Sequence, residues 1–172
     1  MNGSTHTGWF HRWGFCCGLF LLFTACLKRD GGCPYTLENI VAPPSEQEQV
    51  QNYLSALALT AQEHPTHLYY QILDPGAGMN PVLCSNVTVT YKGYLANGNL
   101  LYNEINQVIK PGTLIEGFKI GLLLLRKGGH IRLYIPPSLG YGAQDQRDPD
   151  TGAVFVPANS LLVFDVFLVD IQ

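Results

Sequence analysis

Charge is scarce in this chain: Asp, Glu, Lys and Arg make up only 13% of its 172 residues. Ten basic and thirteen acidic residues give a net charge of −3, and nowhere do Lys and Arg gather into a patch. Nucleic-acid binding needs a basic face, so it is excluded as a leading function. Long apolar runs are missing too. The stretch at residues 15–25 (FCCGLFLLFTA) is too short to span a bilayer as a helix. No Ser, His and Asp set comes with the glycine pattern of a nucleophile elbow. His64 and His67 are three apart, but Pro65 breaks the helix that would align them on a metal. Asp148, Asp150 and Gly152 imitate part of a calcium loop and lack the bidentate glutamate that closes one. Neither a metal nor a cofactor is expected.

What is present begins with an export pattern. His11 and Arg12 precede the short apolar run, and a small residue stands before the cut site, which describes a cleaved signal. The run ends Phe23-Thr24-Ala25-Cys26, which resembles a bacterial lipobox, although Phe23 is bulkier than the leucine usual there. The resemblance implies a lipoprotein signal at residues 1–25 and a lipid on Cys26. It also implies anchoring to a bacterial membrane, expected to be the outer membrane facing the periplasm. An ordinary signal peptide cut nearby is the alternative.

Five cysteines agree with export. Cys16 and Cys17 leave with the signal and Cys26 takes the lipid, so Cys33 and Cys84 remain. In an oxidising compartment a lone pair reads as one disulfide, with two buried thiols as the alternative.

Three segments follow: the signal at 1–25, an anchor segment with a helix at 26–66, and a main domain at 67–172. Ser45 and Glu48 form a capping box, and Val50, Leu54, Leu57 and Ala61 recur at helical spacing, predicting a helix over 46–61. Its narrow apolar stripe suits a surface helix, or one lying against another molecule. Strands are predicted at 68–73, at 87–95 with strict alternation, and from Leu100 after an Asn97-Gly98 hairpin turn. Phe118, Leu122 and Leu125 mark a second helix, stopped by Gly128-Gly129. Ile131, Leu133 and Ile135 form a strand ended by Pro136-Pro137. The last strand, 161–171, is apolar on both faces and therefore central. The class is α+β, a twisted antiparallel sheet wrapped around one short helix, with an N-terminal helical extension.

Residues 114–142 (LIEGFKIGLLLLRKGGHIRLYIPPSLGYG) resemble the signature of the FKBP-type peptidyl-prolyl isomerases, and the likeness extends from Leu68 to the end. The resemblance implies a proline pocket. Tyr91 matches its first aromatic, Leu114 and Ile115 an apolar pair whose second amide holds a substrate carbonyl, and Phe118 the floor, commonly tryptophan. Tyr141 matches the wall tyrosine that bonds the peptide, Phe164 the final wall, and Val156-Pro157 the turn before the last strand. The family's Phe-Asp pair after the hairpin is replaced. An ungapped match puts Leu101 and Tyr102 there; a one-residue slip puts Tyr102 and Asn103. Neither supplies the carboxylate, and the short stretch 103–113 reduces one wall.

An X-Pro bond rotates against a barrier of about 20 kcal/mol set by amide resonance. A dry aromatic site lowers that barrier without a nucleophile, because the planar amide loses the water that stabilises its charged oxygen. The expected function is isomerisation of exposed X-Pro bonds in proteins folding outside the cytoplasm. The rival is a chaperone or binding module for proline-containing apolar segments, with little turnover.

Overall fold

The computed structural model of the protein describes residues 32–172. The leader and the lipidation expected at Cys26 lie outside the described residues. The strands are β1 (Gln62–Glu63), β2 (Tyr69–Asp74), β3 (Val87–Leu95), β4 (Leu100–Ile109), β5 (His130–Ile135), β6 (Gln146–Arg147), β7 (Val154–Val156) and β8 (Leu162–Ile171); the helices are α1 (Pro44–Ala56) and α2 (Glu116–Leu123). Six strands form one antiparallel sheet in the order β1-β2-β5-β8-β3-β4, and β6 pairs with β7 in a separate hairpin.

Alternation along β8 assigns the two faces of this sheet. Leu162, Phe164, Val166 and Leu168 join the main core with Phe118 and Leu122 of α2, whereas Leu161 and Val163 meet Val50 and Leu54 of α1. Successive strand residues point to opposite faces, so one strand serves both clusters. β8 is central, as its composition implies. Its far end departs from the expectation of two apolar buried faces, because Phe167 and Val169 are exposed. There Asp165 receives hydrogen bonds from Arg132 Nε (3.1 Å) and from the His130 ring on neighbouring β5.

Both helices end earlier than predicted. α1 stops at Ala56 because Ala58 turns left-handed (φ 50°). The Ala58 amide donates to the Ser55 carbonyl and the Leu59 amide to the Leu54 carbonyl, the Schellman pattern. Leu57 is consequently exposed and only Val50 and Leu54 of the stripe are buried. The capping box does not form. Pro43 is the N-cap, Ser45 lies inside the helix, and neighbouring Glu46 accepts the Ser138 amide instead (2.8 Å). α2 ends at Leu123, before the glycine pair, and Gly128 (φ 81°) serves a later turn in which its amide donates to the Leu168 carbonyl.

The segment before α1 lies on the domain. Cys33 is disulfide-bonded to Cys84, and the Glu38 amide donates to the buried Glu116 carboxylate, which also pairs with Lys119. Tyr35 covers Gly112, where a side chain would collide with its ring. Cys33–Gln172 forms one compact unit. No helix among the described residues is long and apolar enough to cross a membrane.

Candidate functional site

A cavity of about 230 Å³ opens between α2 and the sheet, lined by Tyr91, Tyr102, Thr113, Leu114, Ile115, Phe118, Tyr141 and Phe164. None of these side chains carries a charge. Phe118, from the buried face of α2, and Phe164, from β8, are both 3% exposed and meet edge to face at 5.1 Å. Tyr91 on β3 stands edge-on to Phe118 at 5.4 Å. Tyr102 on β4 stacks on Phe164 at 5.9 Å, with ring planes 18° apart. Such contacts favour a fixed aromatic box over a collapsible apolar one.

Polar groups at the rim are few. Ile115 is the N-cap of α2, its carbonyl accepting the Phe118 and Lys119 amides. Its own amide has no hydrogen-bond partner among the described residues, as the first amides of a helix have no carbonyl behind them. The Tyr141 and Tyr102 hydroxyl oxygens are 2.8 Å apart. Tyr141 is set between the 3-10 turn Pro137–Leu139 and Gly142, whose amide donates to the Pro137 carbonyl and whose carbonyl accepts the Asn159 amide. Burial pushes the Tyr91 phenol above its ordinary pKa, and the Glu104 carboxylate pushes it further. Burial also raises that of Tyr102, with the Tyr141 hydrogen bond adding to it. Both rings stay neutral at physiological pH.

The profile of the FKBP-type peptidyl-prolyl cis-trans isomerase matches residues 79–169, more than half of the chain. The chain belongs to this family. FkpA of Escherichia coli is 37% identical over 111 residues, covering 62% of this chain and 38% of FkpA. Mip of Coxiella burnetii is 32% identical over 110 residues, covering 61% of this chain and 45% of Mip. The crystal structure of FkpA from Escherichia coli superposes with a TM-score of 0.63 at 32% identity, covering 74% of this chain and 60% of that one. The chain thus spans less than half the length of these curated relatives.

Within this FKBP-type fold, Tyr91, Leu114, Ile115, Phe118, Tyr141 and Phe164 come together around one cavity. Of the three further residues, only Tyr102 joins them. The β3–β4 ladder pairs Gly93 with Tyr102 and Tyr94 with Leu100, so Leu101 is the bulged residue and misses the lining. Val156 is 1% exposed and packs in the main core, in the cluster that holds Phe118 and Phe164, without joining the lining. The expected short wall at 103–113 is largely strand, since β4 runs to Ile109.

Three neighbours escaped the sequence reading. Thr113 lines the cavity from the 3-10 turn Pro111–Thr113. Phe155 on β7 sets its ring edge-on to Tyr102 at 6.4 Å. Glu104 pairs with Tyr91 across the ladder, so a carboxylate stands near the box, although neither Leu101-Tyr102 nor Tyr102-Asn103 contains one. The apolar triplet at 154–156 signalled a strand; nothing in it signalled a return to the cavity. The residues weighed as metal ligands have other partners. His64 Nδ1 bonds Thr66, His67 bonds Glu63, and Asp148 accepts the Asp150 and Thr151 amides.

Proposed function

We propose that this protein is a peptidyl-prolyl cis-trans isomerase acting on exposed X-Pro bonds of proteins that fold outside the cytoplasm. The observation that carries the reading is the uncharged aromatic box beside the unpartnered Ile115 amide. A proline ring fits among Tyr91, Phe118 and Phe164, where water is excluded. A backbone carbonyl outside the rotating bond accepts from Ile115, which anchors the peptide while the X-Pro amide twists. Tyr141 hydrogen-bonds the neighbouring backbone, and Leu114 completes the rim. Desolvation favours the twisted amide, which has lost resonance and carries less charge on oxygen. No covalent step and no cofactor is required.

The same reading places the chain outside the cytoplasm, with residues 1–25 removed and Cys26 lipidated on a bacterial membrane facing the periplasm. The Cys33–Cys84 bond supports an oxidising compartment. Clients are then unfolded or partly folded exported proteins, and nucleic acid is not a partner. A second reading, a holdase with slow turnover, draws on the absence of any charged side chain from the lining.

Proline-limited refolding with the full chain separates the two. Acceleration of the slow phase that is lost in Phe118→Ala supports the isomerase; client binding with an unchanged slow phase supports the holdase. Mass spectrometry of the N-terminus tests the anchor, and an unmodified start, or one away from Cys26, refutes it.

A further inference from the structure

Two hydroxyls 2.8 Å apart share one proton, because each oxygen has a single O–H to give. Tyr102 and Tyr141 are such a pair, and their surroundings differ. The Tyr102 ring is held by Phe164 at 5.9 Å, Phe155 at 6.4 Å and Tyr91 at 6.4 Å. Tyr141 sits on the wall loop and takes part in no ring pair among the described residues. Tyr102 finds no hydrogen-bond partner there other than Tyr141.

Proton counting then separates two arrangements. If Tyr141 donates to Tyr102, the Tyr141 proton is used up, a peptide carbonyl beside Tyr141 meets only lone pairs, and the Tyr102 proton is left without an acceptor. If Tyr102 donates to Tyr141, both protons are used once, in a chain from Tyr102 to Tyr141 to the carbonyl. Hydrogen bonds in such a chain polarise one another, so the terminal donor is strengthened.

We propose that Tyr102 is a positioning residue, its hydroxyl donating to Tyr141 so that the Tyr141 proton is held toward the bound peptide carbonyl. The inference rests on the isomerase reading of the same cavity. It assigns a role to the residue standing where the family's Phe-Asp pair is lost: the phenol supplies both the apolar wall and the orienting polar group. Tyr102→Phe keeps the stacked ring and removes only the hydroxyl.

The test is a double-mutant cycle on the full chain with Tyr102→Phe, Tyr141→Phe and the double variant. kcat/KM is read on a proline tetrapeptide, and the Kd of the same peptide is read by calorimetry. Tyr102→Phe is expected to lower kcat/KM about three- to fivefold, the size of one neutral hydrogen bond. Tyr141→Phe should lower it about tenfold or more, and the double variant should match Tyr141→Phe, because Tyr102 acts only through Tyr141. A wall that merely packs would leave Tyr102→Phe at the wild-type value, and independent roles would multiply the two losses. Either result overturns the proposal, as does a larger loss in Tyr102→Phe than in Tyr141→Phe. Should the wild type bind the peptide without turning it over, the isomerase reading fails instead. The cycle is then read in Kd, where the same coupling supports the relay and its absence refutes it.

Discussion

Gly93 on β3 lies against Phe164 on β8 with no room for a methyl group. A Cβ there would stand 2.6 Å from Phe164 Cε1 and 2.8 Å from Tyr102 Cδ2. The register explains it, since Gly93 pairs with Phe164 on one side and Tyr102 on the other. Two walls of the box rest on one missing side chain. Gly93→Ala is expected to cost about 1–3 kcal/mol, the usual penalty of overpacking, and to abolish proline-peptide binding by displacing both rings. Urea unfolding and calorimetry check the two effects; an alanine variant with normal binding would show that the rings are free to move.

Ala58 takes a left-handed backbone (φ 50°) to close α1. Glycine adopts that conformation without steric cost, but its unfolded chain is more flexible. Ala58→Gly should therefore stabilise by about 0.5–1 kcal/mol, a gain visible as a higher urea midpoint at unchanged slope. A lower midpoint would contradict the Schellman closure.

The Cys33–Cys84 bond closes a loop between positions 51 apart in sequence. Replacing both cysteines by serine should lower stability by about 2–4 kcal/mol, through the freer unfolded chain. Differential scanning calorimetry reads the loss; an unchanged Tm would mean that the other contacts of this segment, including Glu38 with Glu116, suffice to hold it.

Neither the Tyr91 nor the Tyr102 phenol titrates near neutrality. Burial raises the Tyr91 and Tyr102 phenols above their ordinary pKa of 10.0, with Glu104 adding to the first and Tyr141 to the second. A raised folded pKa means that the neutral phenol contributes fully below the unfolded value and is lost only as pH rises through the folded one. kcat/KM should thus stay flat from about pH 6 to 9. A bell with a neutral midpoint would point to a general acid or base outside the box.

How much of this was legible in the sequence depends on which forces set each feature. β3 was read to the residue, because Val87, Val89 and Tyr91 alternate strictly with polar neighbours and burial enforces that period. The six principal pocket residues were found through motif resemblance, and the fold brings them to one cavity. Leu101 and Tyr102 stayed ambiguous, since a bulge at Gly93/Tyr94 decides between them and bulges follow backbone irregularity rather than composition. Ser45 was misread for a related reason. Pro44 already suits the first helical turn, and Glu46 is drawn to the distant Ser138 amide, a tertiary contact outweighing a local one. Phe155 was invisible because a hairpin from a separate two-stranded sheet carries it to Tyr102.

Exchange NMR on a short X-Pro peptide tests the central claim most directly, because a chain that only binds cannot mimic the signal. Uncatalysed, cis and trans forms interconvert over tens to hundreds of seconds and give separate sharp resonances. With a small fraction of full-length protein added, cross peaks between the two forms should appear, and Phe118→Ala should abolish them. Resonances that shift on binding while the interconversion rate stays at its uncatalysed value would contradict the isomerase function.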